Sequence, residues 1–465
     1  MKKSFQLILF LISILFSFGL ASLKTDTLYL SLNDAITLAL KNNKSIMMAQ
    51  EKLKEQFANK GIARASFLPQ VSLSGTYTRL GTSQGFPMTV PIYGKYPFPV
   101  YNFTGQLIGF TESIPIITGA ITETLEMVKK DNYNLNAKVT QTLFTWGKLI
   151  NAYQIAGLSF DIEKESYRKA VSDLKLQITE SFYQTMLADY GLKLMNESYQ
   201  QMEKHIKQIE KLYQNGLVGQ LDLLRAKVQL ANIQSQLIKI NNTRNLAYYV
   251  LKSLIGINAD TPIVLNDEFK FRPYEIDLDS AINIALQTRA DINNMRRTVS
   301  ILNKTYHIQK TANLPTLFSA FNYNYQKPFS FTEENWGKDW NFTIGVSMPF
   351  FTGGANFYKL KQTQAQLNQA KLGLSLLEDA IKLEVKSLYF NLEQERKILT
   401  YQDENVATAE KALILADEKY NSGLITNLEY IDTQLALTQA KFDRLNAVAN
   451  CIIAQAKLLN ALGKQ

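Results

Sequence analysis

Apolar residues along this chain follow two spacings, and the two alternate in the same order twice. At 367–392, Leu367, Ala370, Leu374, Leu377, Ile381, Val385, Leu388 and Leu392 step by three or four, the seam of a coiled coil. Val171, Leu174, Ile178 and Phe182 do the same earlier, and Met202, Ile206, Ile209 and Tyr213 resume the pattern. All 11 prolines lie outside 116–261 and 350–465, so both stretches are free to run as helix. A helix from 148 to 213 is about 100 Å long at 1.5 Å per residue. Elsewhere the period is two. Phe342, Ile344, Val346, Met348 and Phe350 alternate with Asn341, Thr343, Gly345, Ser347 and Pro349. Val71, Leu73 and Tyr77 oppose Ser72, Ser74, Thr76 and Thr78; Tyr133, Leu135, Ala137 and Val139 oppose Asn134, Asn136, Lys138 and Thr140; Phe321, Tyr323 and Tyr325 oppose Asn322 and Asn324. Four strands of about ten residues, apolar on one side and small-polar on the other, match those of a transmembrane β-barrel.

The chain repeats itself. "LSLNDAITLAL" at 30–40 matches "IDLDSAINIAL" at 276–286, and Pro69 matches Pro315 at the same offset of 246. "LFTWGK" at 143–148 matches "FFTGGA" at 350–355, and "YQNGLVGQLDLL" at 213–224 matches "YNSGLITNLEYI" at 420–431, at an offset of 207. The first copy therefore holds 39 extra residues, between about 81 and 134. This defines an α+β membrane protein with a duplicated helix–strand–strand–helix–helix plan. The first repeat spans 22–265, with strands at about 68–80 and 133–146, an enlarged loop at 81–132 and a helical hairpin at 147–255. The second spans 266–465, with strands at about 315–327 and 339–351 and a hairpin at 353–463. The loop is rich in Gly, Pro and aromatics, and its apolar tract Ile114–Ile121 reads as a packed lid or a contact surface.

Residues 1–21 have the basic start, apolar core and small-residue end of a secretory signal peptide. No cysteine follows the cleavage point, so no lipid-anchored N-terminus is expected. Cys451 is the only cysteine, which excludes an intrachain disulfide and fits a small helix-packing residue. No later segment has the roughly 18 apolar residues of a spanning helix. The net charge is +9, two of it on Lys2 and Lys3, and the charges are interspersed along helices, so no nucleic-acid partner is expected. His205 and His307 stand far apart with no metal-ligand spacing, and read as surface or packing residues of helices. No nucleophile, phosphate-loop or dinucleotide motif is present, so neither enzyme activity nor a cofactor or metal is expected.

Four strands cannot close a barrel, and an open sheet in lipid leaves bare edges. Pooling strands from two, three or four chains gives 8, 12 or 16. This order of motifs resembles the TolC-like family of outer-membrane efflux and secretion channels, over residues 24–463. The resemblance implies a homotrimer in outer-membrane lipid, with a shared 12-stranded barrel and a periplasmic α-helical tunnel. A periplasmic adaptor and an inner-membrane pump, proton-driven or ATP-driven, are the implied partners, with no substrate specified. A periplasmic or surface coiled-coil scaffold or adhesion protein is the alternative; it accounts for the helices but not for four alternating strands.

The two Gly-Leu turns then become the tips of the tunnel. Gly216, Leu217, Val218, Gly423, Leu424, Ile425 and Thr426 are the adaptor-docking residues by resemblance, or else they only staple the helices together. Glu429 and Asp432 match acidic positions ringing the narrowest point, a channel gate in which mutual repulsion raises pKa values. Thr426-Asn-Leu-Glu429 also reads as a capping box, a second account of Glu429. Asp222 and Tyr420 match closed-state tip contacts. Ile425 stands where the family's well-studied channel has an arginine, with Arg225 as a substitute by proximity.

Overall fold

The computed structural model describes residues 27–464 apart from 83, 113 and 331–333, so the leader expected at 1–21 lies outside the described residues. In chain order the first copy reads β1 (Leu28–Leu30), α1 (Leu32–Asn42), α2 (Lys44–Ala65), β2 (Gln70–Arg79), β3 (Gln84–Tyr96), β4 (Pro99–Tyr101), β5 (Leu107–Phe110), β6 (Ile114–Val128), β7 (Asp131–Phe144), α3 (Lys148–Gln214) and α4 (Gln220–Ile255). The second reads β8 (Ile263–Leu265), α5 (Leu278–Thr288), α6 (Ala290–Lys310), β9 (Thr316–Lys327), β10 (Gly337–Ser347), α7 (Ala355–Asn421) and α8 (Asn427–Ala461). Helices α3 and α7 are both 67 residues long, and they start and stop at equivalent positions of the repeat. No helix among the described residues is long and apolar enough to cross a membrane.

The chain divides into two compact units. One comprises the residues up to Asn59, Ala156–Asn303 and Ala365–Gln465, and is helical apart from the short parallel pair β1–β8. Its two copies build the same core. In the first, Leu174, Ile178 and Phe182 of α3 pack on Ala35 and Ala39 of α1 and on Leu251 of α4. In the second, Ile381 and Val385 of α7 pack on Ala281 and Ala285 of α5 and on Leu458 of α8. The alanines at equivalent positions let the short helix approach the long one closely, and all four are fully buried. Seam residues Met202, Ile206 and Ile209 are buried as the spacing predicts, but Tyr213 at the end of the seam is 40% exposed. Cys451 is buried in α8, and burial pushes its thiol up to about 12. Ser31 starts α1 with a capping box to Asp34, and Asp277 caps α5 through the Ser280 amide.

The other unit, Lys60–Ile155 and Lys304–Gln364, holds an antiparallel sheet of order β10-β9-β7-β2. Register places Val139 opposite Phe321 and Leu135 opposite Tyr325, and Phe321 opposite Phe342. One face is therefore continuously apolar, and it is bare: Leu73 is 81% exposed, Phe342 59%, Ile344 61% and Val346 66%. The other face carries amides bonded across the strands, Asn136 to Asn324 and Asn322 to Asn341. The strands end slightly off the predicted bounds. After β7, Trp146 and Gly147 take positive φ, and the Trp146 indole donates to the Pro315 carbonyl at 2.7 Å, fixing the strand-to-helix joint.

The stretch 81–132 is not a loop. It folds into β3 paired antiparallel with β6 and, inside them, β4 paired with β5. Pro87 and Pro91 obscured the strand in the sequence, yet a two-stranded ribbon has free edges where a missing N–H donor is harmless. The apolar tract from Ile114 is strand β6, and Ile116, Ile117 and Ile121 remain exposed, so within one chain it is not a packed lid.

Gly256 ends α4 at φ 76°, and a Cβ there would sit 2.9 Å from the Asn42 carbonyl oxygen. Gly423 has φ 67° but open space around it. Alanine at either site adds roughly 1–2 kcal/mol of left-handed strain, while only Gly256→Ala also collides with backbone. Thermal melting should fall further for Gly256→Ala than for Gly423→Ala. Equal shifts would contradict the close approach of α4 to the end of α1.

Candidate functional site: the paired hairpin tips

Both long helices stop on glycine for the same physical reason. Gly216 and Gly423 adopt positive φ, and Leu217 N donates to Leu212 O at 2.9 Å while Leu424 N donates to Lys419 O at 2.8 Å. These bonds wrap the last helical turn and satisfy carbonyls that a plain stop would leave open. The leucine after each glycine is then turned outward, with Leu217 70% and Leu424 74% exposed. Val218 packs instead on the apolar cluster of Met202, Ile206, Ile209, Ala226, Ile233 and Ile431. The returning helices start differently. Gly219 offers α4 no side-chain cap, whereas Thr426 and Glu429 form a full capping box on α8.

The two tips face one another across an open cavity of about 760 Å³, whose lining includes Leu217, Val218, Asp222, Tyr420, Ile425 and Thr426. With Gly423, the structure thus brings together seven of the predicted tip residues. Asp222 and Tyr420, the closed-state contacts implied by resemblance, both line the cavity. The Tyr420 hydroxyl is buried with no hydrogen-bond partner within the chain, and the ring lies flat against Tyr430, with centroids 4.8 Å apart at 20°. Burial, and next the Asp222 charge, push the Tyr420 phenol up. Arg225 is exposed, and no ion pair joins it to Asp222 among the described residues.

Glu429 and Asp432 are exposed on α8. Within one chain the Glu429 carboxyl moves opposite to the expected rise. The Thr426 amide and hydroxyl donate to it at 2.7 and 2.9 Å, and hold it below the usual carboxylate range. The capping account of Glu429 is therefore met in one chain, and any repulsion must come from other copies.

Three residues of the tip carry more of its bonding than the sequence pattern indicated. His205 on α3 is 4% exposed, and its Nε2 lies 2.7 Å from Asn427 Oδ1 on α8. The Asn427 amide nitrogen in turn donates to the Asp222 carbonyl at 3.3 Å. The imidazole also meets the rings of Tyr420 at 5.3 Å and Tyr430 at 4.8 Å. His205 falls beside Ile206 on the seam, so helical spacing marks it as packed. Its partners on the other copy lie more than 200 residues away and leave no local signature. His307, by contrast, is exposed on α6.

Duplicated long-helix hairpins and a sheet bare on its apolar face define the fold class of outer-membrane channels. The outer membrane efflux protein profile matches residues 35–257 and 281–464, nearly all of both copies. BepC of Brucella suis biovar 1 (strain 1330), an outer membrane efflux protein, is 19% identical over 434 residues, 93% of this chain and 85% of its own. Outer membrane protein TolC of Escherichia coli (strain K12) is 21% identical over 343 residues, 70% of this chain and 68% of its own. The Campylobacter jejuni CmeC outer membrane channel shares the fold at a TM-score of 0.75 and 17% identity, over 93% of this chain and 85% of that one. The chain belongs to the outer membrane efflux protein family, and its location is the outer membrane. Its relatives are efflux proteins rather than enzymes.

Since the Tyr420 hydroxyl has no protein partner, Tyr420→Phe keeps the ring contacts and removes only a buried polar atom. Thermal stability should be unchanged or slightly raised. A loss of about 1 kcal/mol, the size of one hydrogen bond, would reveal a Tyr420 bond.

Proposed function

We propose that this protein is the outer-membrane channel of a tripartite efflux or type I secretion system, conducting passively what an inner-membrane pump delivers through a periplasmic adaptor. The observation that carries this reading is the four-stranded sheet, apolar and exposed on one face, amide-lined on the other, and unpaired along β2 and β10. Lipid accepts the apolar face but not the open edges. Three copies close the edges as a 12-stranded barrel with a polar lumen, and the paired hairpins of each copy form one third of a tunnel wall. A coiled-coil scaffold has no use for such a sheet.

In this reading Gly216, Leu217, Val218, Gly423, Leu424, Ile425 and Thr426 present the docking edge to the adaptor. The outward Leu217 and Leu424 suit a helical partner that lays an apolar stripe against them. Glu429 and Asp432 from three copies place six carboxylates around one axis. Such a ring concentrates cations and resists anions. Asp222 and Tyr420, which line the cavity between the tips, are the closed-state tip contacts in this reading.

Planar-bilayer recording tests the assignment. The purified protein should conduct with cation selectivity, and Glu429→Ala combined with Asp432→Ala should weaken that selectivity and relieve block by multivalent cations. Selectivity unchanged in the double variant would remove these two residues from the gate.

A further inference from the structure

We infer that His205 is the positioning residue that fastens the two hairpin tips to each other, and that proton uptake by its imidazole lets them part. This rests on the channel reading and concerns how the same tip is regulated. The imidazole, on the first copy, touches three residues of the second. It stands on α3, bonds Asn427 of α8, and lies against Tyr420 of α7 and Tyr430 of α8. Through the 3.3 Å bond from Asn427 to the Asp222 carbonyl it also reaches the start of α4. Three helices meet at the ring, and a fourth is one bond away through Asn427.

The Asn427 orientation calls for a proton on Nε2. Asn427 gives its amide nitrogen to Asp222, so its carbonyl oxygen faces His205, and the Nε2–H donates to it. Gln208, one turn along α3, bonds the imidazole as well. The ring lies tilted against Tyr420 and Tyr430 and is nearly out of solvent. A second proton puts a full charge in that enclosure. The charged and titratable groups nearby do not offset it by direct bonds. From α4, Asp222 faces the Tyr420 side of the cavity, and from α3, Lys211 lines the same cavity with the opposite sign. From α7, Asp417 is engaged by the Tyr430 hydroxyl at 3.3 Å. The remaining groups are the phenols of Tyr420 and Tyr430, both pushed up by burial and neutral in this range.

Burial pulls the His205 imidazole below its ordinary value of 6.5, against the opposing bonds from Asn427 and Gln208. A group lowered in the packed tip takes its proton more readily in the parted one. The packed tip is therefore favoured in full above the ordinary value, and that advantage drains as pH falls through the lowered one. Each unit of lowering is worth about a tenfold change in the packed-to-parted ratio. His205 has no counterpart in the other copy, where position 412 is alanine, so the fastening is one-sided.

The test is single-channel recording at about pH 7.5 and about pH 5, on either side of the ordinary imidazole value. The wild-type protein should open several-fold more often in acid. His205→Gln, which keeps a donor for Asn427 but cannot titrate in this range, should lose most of that rise while Glu429 and Asp432 remain in place. His205→Arg, charged throughout, should open at both pH values. An acid response retained in full by His205→Gln, or absent from the wild type, overturns the role of His205 and leaves the channel reading intact. No conductance from correctly inserted wild-type protein at either pH overturns the channel reading, and the inference with it.

Discussion

A β-strand edge has nowhere to rest in lipid. Every N–H and C=O along β2 and β10 that another strand does not meet is a polar group without water, at several kcal/mol apiece. Yet the sheet these strands bound is plainly made for an apolar surround, with Leu73, Phe342, Ile344 and Val346 bare on one face and bonded asparagines on the other. The proposed answer is more copies of the same chain. On that proposal the assembly would be an oligomer whose polar sheet faces line its lumen.

Duplication supplies the rest economically. The pairs Leu174/Ile381, Ile178/Val385 and Leu251/Leu458 occupy equivalent places in two separate cores. The copies diverge where their tasks diverge. Tyr213 and Tyr420 are equivalent in sequence, but Tyr213 is 40% exposed while Tyr420 is stacked between His205 and Tyr430. The equivalents of His205, Asn427 and Tyr430 in the other copy are Ala412, Gln220 and Leu223. One tip therefore holds the other, and the bonding between them is asymmetric by construction.

What could be read from the chain alone was whatever has a local period. The helices, the glycine stops and the four alternating strands each obey a rule of spacing or of φ, and they appear where that rule puts them. The ribbon at 81–132 was missed because Pro87, Pro91 and Gly94 break the signs of a strand, though not the pairing of β3 with β6. The tip network was missed for a different reason. His205 and Asn427 are 222 residues apart, and nothing near either one announces the other. The Tyr420 hydroxyl, placed by resemblance among the closed-state contacts, has no hydrogen-bond partner within one chain, so any such contact belongs to the assembled tips.

The central claim is that β2 of one copy meets β10 of another. It is tested most directly by oxidative cross-linking in isolated outer membranes, with Thr76→Cys on β2, Thr343→Cys on β10 and the native Cys451 replaced. The account predicts a ladder of cross-linked species that ends at three chains and disappears when either cysteine is omitted. A protein that stays monomeric under oxidation, and leaves the membrane without detergent, would contradict it.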